Sequence, residues 1–65
     1  MSKRYYGLRW DALWLVYLEA DTGGNDWRAS WSASREPIAW SRDYARLMHA
    51  SLESRYPGAK VAEIE

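Results

Sequence analysis

The segment "LWLVYL", residues 13–18, decides how this chain folds. It is continuously apolar, it contains Trp, Val and Tyr, which favour strands, and six residues are few for a buried helix. Such a run is typical of a central strand that is covered on both faces. The preceding segment "YYGLRW", residues 5–10, is rich in aromatic side chains and predicts a first strand. Asp11, between the two segments, indicates a turn or a bulge.

The segment "DTGGND", residues 21–26, is the clearest turn signal in the sequence. Its paired glycines allow positive φ, and Asp and Asn tolerate turn geometry, so we predict a hairpin loop. In the next segment, "DWRASWSASR" at residues 26–35, Trp or Ala alternates with Arg or Ser. Trp27 and Trp31 would share one face of a helix, but strict alternation over eight positions favours a strand. We predict that both tryptophans face the core and that the serines face outward: Ser30, Ser32 and Ser34.

The second half of the chain predicts a helix between two extended segments. "SREP", residues 34–37, indicates a turn, because a proline disfavours helix at the residue before it. "IAW", residues 38–40, predicts a short strand or an extended approach to the helix. Ser41 is typical of a helix N-cap, and the helix is predicted to run to about Arg55, ahead of a Pro-Gly pair.

A helical wheel of this segment shows one apolar stripe, made of Tyr44, Ala45, Met48 and Leu52, with Leu47 at its edge. The opposite side is polar and comprises Arg42, Arg46, His49 and Glu53. The final segment "AKVAEIE", residues 59–65, alternates like a last strand that joins the same sheet. We therefore predict one α+β domain over residues 1–65, in the order β-β-β-α-β, with one helix packed on one face of a small antiparallel sheet of three to four strands.

Composition indicates how so short a chain is stabilised. It has 65 residues, no Cys, five Trp and five Tyr. A domain of this size buries only about 60% of its unfolded surface, and here no disulfide compensates. Large rings that bury about 150–250 Å² each supply much of the predicted core. One helix covers only one side of the sheet, so the sequence also predicts a spare apolar face, which usually means a partner or a second copy.

Charge argues against a dedicated nucleic-acid binder, because nine basic residues balance nine acidic ones. The charges are nevertheless segregated: residues 1–10 carry three bases and no acid, whereas residues 11–26 carry four acids and no base. No segment approaches the 18 apolar residues of a membrane span. The basic start followed by "ALWLVYLEA" lacks a cleavage site, so we do not interpret it as a signal peptide.

The sequence shows no constellation that predicts catalysis or cofactor binding. His49 is the single histidine, and without a second His or a Cys it cannot complete a zinc site. Nothing matches a nucleophile elbow, and "DTGGND" lacks the lysine and the strand-to-helix setting of a phosphate loop. We expect a protein that is not an enzyme and that binds no metal or cofactor.

The segment "SRDYARLMHASLESRYPGAKVAEIE", residues 41–65, combines a capped helix that ends at "RYPG" with a short final strand. In this it is similar to many small phage and prophage proteins. The whole chain resembles the small anti-CRISPR proteins, in particular those that act on a type I effector complex such as type I-C. The resemblance implies a stoichiometric inhibitor in the bacterial cytoplasm that binds a protein subunit and blocks target DNA binding.

Some such inhibitors present carboxylates that imitate phosphates, and docking on a protein subunit through aromatic side chains is equally open for this chain. Two acidic groups in this chain are candidates under the resemblance: Glu19, Asp21 and Asp26 at the hairpin, and Glu53, Glu63 and Glu65 towards the end. Trp14 is the candidate for aromatic docking, because strict alternation along its strand places it with Val16 and Leu18 on one face, beside the serines.

Two other functions remain open. The first is a small DNA-binding or regulatory module, in which Arg28, Arg35, Arg42 and Arg46 line one edge and Trp27 or Trp31 stacks on bases. The second is a homo-oligomeric structural subunit that hides its spare apolar face in a symmetric interface. Our expectation is a monomer, with a homodimer as the alternative.

Overall fold

The computed structural model describes residues 3–21 and 27–65. It confirms the α+β class and the β-β-β-α-β order, and its elements are β1 (Tyr5–Trp10), β2 (Leu13–Ala20), β3 (Trp27–Ser32), α1 (Arg42–Leu52) and β4 (Lys60–Ile64). The strands form one antiparallel sheet in the order β3-β2-β1-β4. The predicted hairpin loop lies, apart from Asp21, outside the described residues.

A two-residue turn joins β1 to β2. Trp10 pairs with Leu13, so Asp11 and Ala12 are the two central residues. Asp11 has a φ of 58°, which two-residue hairpin turns require at their first central position and which Asp tolerates better than most residues. The prediction of a turn or bulge at Asp11 is therefore confirmed as a turn.

Strand β4 pairs with β1 along the whole length of β4, from Ile64 opposite Tyr5 to Lys60 opposite Arg9. The last strand therefore joins the sheet, as predicted, and it does so at the edge beside the first strand. Because β3 occupies the other edge, β1 and β2 are the two inner strands.

A bulge in β2 changes the predicted facing of its side chains. Leu15 pairs with Trp31 and Tyr17 pairs with Ser30, so Val16 is an extra residue in β2. Beyond the bulge Leu18 lies opposite Ala29 and packs against the core. The prediction that Trp14, Val16 and Leu18 share one face is therefore wrong, because an extra residue inverts the alternation that follows it.

Residues 38–40 insert between β1 and β2. The two strands pair with each other only next to their turn and then diverge. In the gap, Trp40 and Tyr6 exchange two backbone hydrogen bonds of 2.7 Å, and the Ile38 N–H donates to the Leu15 carbonyl at 2.9 Å. The predicted short extended segment is thus a bridge that satisfies the backbone of both strands where they separate.

Ser41 caps helix α1 as predicted, since its Oγ accepts the Tyr44 N–H at 3.3 Å. The helix ends at Leu52, three residues before the predicted end at Arg55. There the N–H groups of Arg55 and Tyr56 both donate to the Leu52 carbonyl and turn the chain out of the helix. The early end matters because it directs Tyr56 towards the sheet.

The buried stripe of α1 is narrower than the wheel predicted. Ala45, Met48 and Leu52 are buried, whereas Tyr44 is 48% exposed and Leu47 is 61% exposed. The helix packs mainly on β1 and β4, one half of the sheet, so one row of side chains suffices to cover its contact. The buried core cluster consists of Leu8 and Leu15 from the sheet and of Met48 and Leu52 from α1.

His49 is not the solvated residue that the wheel predicted. It is half-buried, and its Nε2 lies 2.6 Å from the Ala59 carbonyl oxygen, to which a ring N–H donates. This hydrogen bond ties the last turn of α1 to the residue that precedes β4. The position gives this histidine a structural role.

Three aromatic rings close the end of the core. Trp10, Trp31 and Tyr56 are in mutual contact, with ring centroids 5.1–5.5 Å apart and tilted or edge-on orientations. The Trp10 indole N–H also donates to the Pro57 carbonyl at 3.0 Å. Trp31 and the half-buried Trp27 both pack against the core cluster, which confirms their prediction as core residues.

Gly7 permits the insertion of residues 38–40. A Cβ at this position would lie 2.9 Å from the Ile38 carbonyl oxygen, 3.1 Å from Ile64 Cδ1 and 3.4 Å from Trp14 Cε3. The first of these contacts is with backbone, which cannot move without breaking the bridge between β1 and β2.

We predict that Gly7→Ala lowers the free energy of unfolding by about 1–3 kcal/mol, the usual cost of overpacking. Thermal or urea unfolding followed by circular dichroism measures it. The control is Ser51→Ala on the exposed side of α1, which should stay within about 0.5 kcal/mol of the parent. A Gly7→Ala protein as stable as the control would contradict the close approach of Ile38.

We predict that Tyr56→Ala costs about 3 kcal/mol of stability, because it removes one ring of the three and opens a cavity between the other two. Tyr17→Ala, which removes a ring that is 47% exposed, should cost much less. Urea unfolding of both variants, with tryptophan fluorescence as the probe, makes the comparison. Equal losses of stability in the two variants would show that Tyr56 in the three-ring cluster contributes no more than the exposed Tyr17.

Candidate functional site

The side of the sheet opposite α1, here called the open side, has a defined set of residues. Cross-strand pairs place Arg9 beside Trp14 and beside Lys60, and Trp14 beside Ser32. Farther along β2, Tyr17 lies beside Ser30 and Glu19 beside Arg28. Opposed residues share a face, so these side chains form one continuous polar and aromatic surface.

The chain between β3 and α1 covers part of this side. Pro37 lines a groove together with Trp14 and Ile64, and the Ile38 carbonyl approaches the open side of Gly7. We call residues 33–40 the crossing segment, because they lead from β3 over the sheet to the gap between β1 and β2. The predicted spare apolar face is therefore reduced to a groove, and Trp14 is half-buried in it.

This Trp14 groove has a volume of about 500 Å³ and is lined by Arg9, Trp14, Pro37, Glu63, Ile64 and Glu65. Its apolar walls come from the indole, the proline and the isoleucine. The Arg9 guanidinium carbon lies 4.9 Å from the Trp14 ring centroid, a cation–π contact that holds both side chains in place. A second depression, of about 440 Å³, adjoins the Trp14 groove. It shares Pro37, Ile64 and Glu65 with the groove and is also lined by Tyr5 and Lys3.

The Glu63 side chain lies on the helix side of the sheet, because Glu63 is opposite Tyr6 and shares its face of β4 with the core-packed Val61, so Glu63 lines the groove only with its backbone. Its Oε1 accepts the Tyr6 hydroxyl at 3.5 Å and lies 3.8 Å from Arg4 Nη1. Both charged side chains are well exposed, so the ion pair adds little stability and leaves the carboxylate accessible.

The first predicted acidic group lies at the far end of β2. Glu19 and Asp21 are both exposed there, and Asp26 lies outside the described residues. Glu19 is already engaged, since it accepts the Tyr17 hydroxyl at 2.6 Å and lies opposite Arg28. This hydrogen bond, more than desolvation and the charge of Glu19, raises the pKa of Tyr17, and Arg28 acts in the opposite direction.

The second predicted acidic group is divided. Glu63 and Glu65 line the same groove as Trp14, whereas Glu53 caps the far end of α1. The beginning of α1 follows Trp40, which is bonded to Tyr6 beside Glu63. The 11 residues of α1 rise about 16 Å from that point, so Glu53 does not belong to the groove.

Three lining residues of the groove are absent from the sequence prediction: Arg9, Pro37 and Ile64. Arg9 could have been predicted from the sequence, because a two-residue turn at Asp11 places it directly opposite Trp14. Pro37 could not have been predicted, because nothing local in the sequence shows where the crossing segment lies.

The structure does not assemble the arginine-lined edge of the DNA-binding alternative. Arg28 lies on the open side of β3, an edge strand, whereas Arg42 and Arg46 belong to α1, which packs mainly on β1 and β4. Trp31 is engaged with Trp10 and Tyr56 on the helix side. A DNA-binding function would therefore need contacts other than the predicted arginine-lined edge.

Within residues 3–21 and 27–65, no group of three or more acidic or histidine side chains is arranged to hold a metal ion. No helix in that part of the chain is long and apolar enough to cross a membrane. Comparison with known protein families, with curated proteins and with solved structures found no match.

We predict that Glu19→Gln lowers the pKa of Tyr17 towards its ordinary value of 10.0, because the variant removes a charged acceptor that favours the protonated phenol. NMR titration of the Tyr17 ring carbon at alkaline pH measures it, with Asp21→Asn as the control. Folding raises this pKa, so its stability contribution is present below the unfolded pKa and is lost as pH rises through the folded one. A Tyr17 pKa unchanged by Glu19→Gln would refute the hydrogen bond.

Proposed function

We propose that this protein is a stoichiometric inhibitor that binds a protein subunit of a type I CRISPR effector complex and blocks target DNA binding. The Trp14 groove is its docking surface in this proposal. It acts in the bacterial cytoplasm by occupying a surface of its target, without catalysis and without a cofactor.

The observation that carries the protein-binding part is the chemistry of the groove. Trp14 stands in an apolar depression whose polar lining is mixed, since it contains both Arg9 and the exposed Glu65. Tryptophan and arginine are the residues most enriched at interface hot spots, which sit in apolar pockets inside a polar rim. A nucleic-acid surface would instead carry an excess of basic residues, and here the Glu65 carboxylate balances the Arg9 guanidinium.

The choice of target rests on the resemblance of the chain to small anti-CRISPR proteins. The groove supports this choice in one respect, because it unites an aromatic anchor, Trp14, with one carboxylate of the second acidic group, that of Glu65. Glu65 could then meet a basic side chain of a DNA-binding subunit at a position otherwise taken by a phosphate, while Trp14 enters an apolar pocket. Glu19 and Asp21 supply a second acidic contact at the far end of β2.

We predict that Trp14→Ala raises the concentration needed to displace target duplex from a purified type I-C complex by about 30-fold or more. This corresponds to the loss of at least about 2 kcal/mol that defines a hot spot. Fluorescence anisotropy of a labelled duplex provides the measurement. Circular dichroism of the variant separates lost docking from lost folding.

Matched variants make this test specific. Leu47→Ala removes an apolar side chain that is 61% exposed on α1, away from the groove, and should inhibit like the parent. Glu65→Lys, at an exposed position, should weaken inhibition if the carboxylates contact basic residues. Inhibition that survives both groove changes would exclude the groove as the docking surface. A parent protein that binds duplex DNA directly, with affinity falling steeply with salt, would instead support the DNA-binding alternative.

A further inference from the structure

Strand β3 forms one edge of the sheet. In the part of the chain that the structure describes, it pairs with β2 only, so one row of its backbone groups points away from the sheet. Proteins usually protect such an edge with proline, lysine, a bulge or a covering segment. The strand reads "WRASWS", with neither proline nor lysine and with one charged side chain, Arg28, and the bulge between β2 and β3 lies in β2. The edge is therefore able to accept another strand.

The sequence of β3 is complementary to itself in one antiparallel register. When two copies pair with Ser30 opposite Ser30, each Ala29 lies opposite a Trp31, and each Arg28 lies opposite a Ser32. The same register, extended by one residue, sets Trp27 opposite Ala33. Every large ring then faces a methyl group, and two hydroxyls meet at the centre, where they can hydrogen-bond.

Neighbouring registers lack this fit. A two-fold axis between antiparallel strands must pass between the same residue of both copies. Centring on Ala29 opposes Trp27 with Trp31, and centring on Trp31 opposes the two indoles directly. Both registers place ring against ring on the helix side, where Trp27 and Trp31 already pack against the core. Because this packing limits how the indoles can reorient to stack on each other, the alternation of Trp with Ala and of Arg with Ser favours the register centred on Ser30.

We propose that two copies of this chain associate through their β3 edges, centred on Ser30, and form one continuous eight-stranded antiparallel sheet. In the pair, Trp27, Ala29 and Trp31 of both copies form a single row on the helix side. The serines and Arg28 form a second row on the open side. The assembly needs no other molecule and stands independently of the proposed inhibitory function.

The interface is compatible with docking at the groove. Ile64 and Glu65, which line the Trp14 groove, belong to or follow β4 at the opposite edge of the sheet. Each copy therefore keeps its groove accessible, and the pair presents two of them. A standard interface buries about 800 Å² of each partner, and one six-residue edge buries less. The pair should therefore dissociate on dilution.

Sedimentation equilibrium from low-micromolar to near-millimolar protein tests the assembly. We expect a reversible monomer–dimer equilibrium for the parent and only monomer for Ser30→Glu, because two carboxylates would face each other at the two-fold axis. Ser30→Lys should be monomeric for the same reason, and a mixture of the two variants should restore a dimer. Ser54→Glu, an exposed position after α1, is the matched control and should dimerise like the parent.

A cysteine substitution tests the register without relying on charge. The chain contains no Cys, so Ser30→Cys introduces one thiol per copy. Directly opposed residues lie about 4.5–5.5 Å apart between Cα atoms, within the range of a disulfide, so mild oxidation should yield a covalent dimer. Ser54→Cys should remain largely monomeric.

A parent that is monomeric at every concentration would overturn the proposal. So would a dimer that persists in Ser30→Glu when Ser30→Cys fails to cross-link, since the copies would then associate through another surface. Loss of the dimer in both Ser30→Glu and Ser54→Glu would also count against it, because the effect would not be specific to the edge. None of these outcomes depends on whether the chain binds a CRISPR complex.

Discussion

The bridge that residues 38–40 form between β1 and β2 is the constraint on which the rest of the structure depends. Its hydrogen bonds to Tyr6 and Leu15 replace the pairing that the two diverging strands lack. The bridge requires Gly7, since any Cβ there would strike the Ile38 carbonyl. It also fixes where the crossing segment lies on the open side, and so it creates the groove around Trp14. Through Trp40 it sets the starting point of α1.

The aromatic residues supply core packing in a 65-residue domain that has no Cys and so no disulfide to stabilise it. The fully buried side chains are few and mostly aliphatic, while Trp10, Trp31 and Tyr56 seal the end of the core around them. This arrangement has a cost: Trp31 Nε1 is buried without a hydrogen-bond partner among the described residues. An unsatisfied buried donor costs about 1–3 kcal/mol, so the packing of the three rings must offset it.

Local patterns in the sequence predicted the elements but not how they meet. Apolar runs located β1 and β2, alternation located β3, and a serine followed by an apolar stripe located α1. The alternation pattern gave the wrong facing for the β2 side chains beyond Val16, because a bulge depends on how β2 pairs with β3 and not on the sequence of β2 alone. It could not place residues 38–40 either, since their partners, Tyr6 and Leu15, are distant in sequence. For the same reason Trp14, Glu63 and Glu65 were each predicted as contacts, yet their meeting in one groove with Arg9 and Pro37 was not.

Amide hydrogen exchange followed by NMR tests the bridge most directly. The account predicts that the N–H groups of Ile38, Trp40 and Tyr6 are protected as strongly as amides in the β1–β4 ladder, because each donates to a backbone carbonyl at 2.7–2.9 Å. Exchange of Ile38 and Trp40 at the rate of an unstructured peptide, beside a protected β1–β4 ladder, would contradict it. The crossing segment would then be loose, and neither the requirement for Gly7 nor the Trp14 groove would stand.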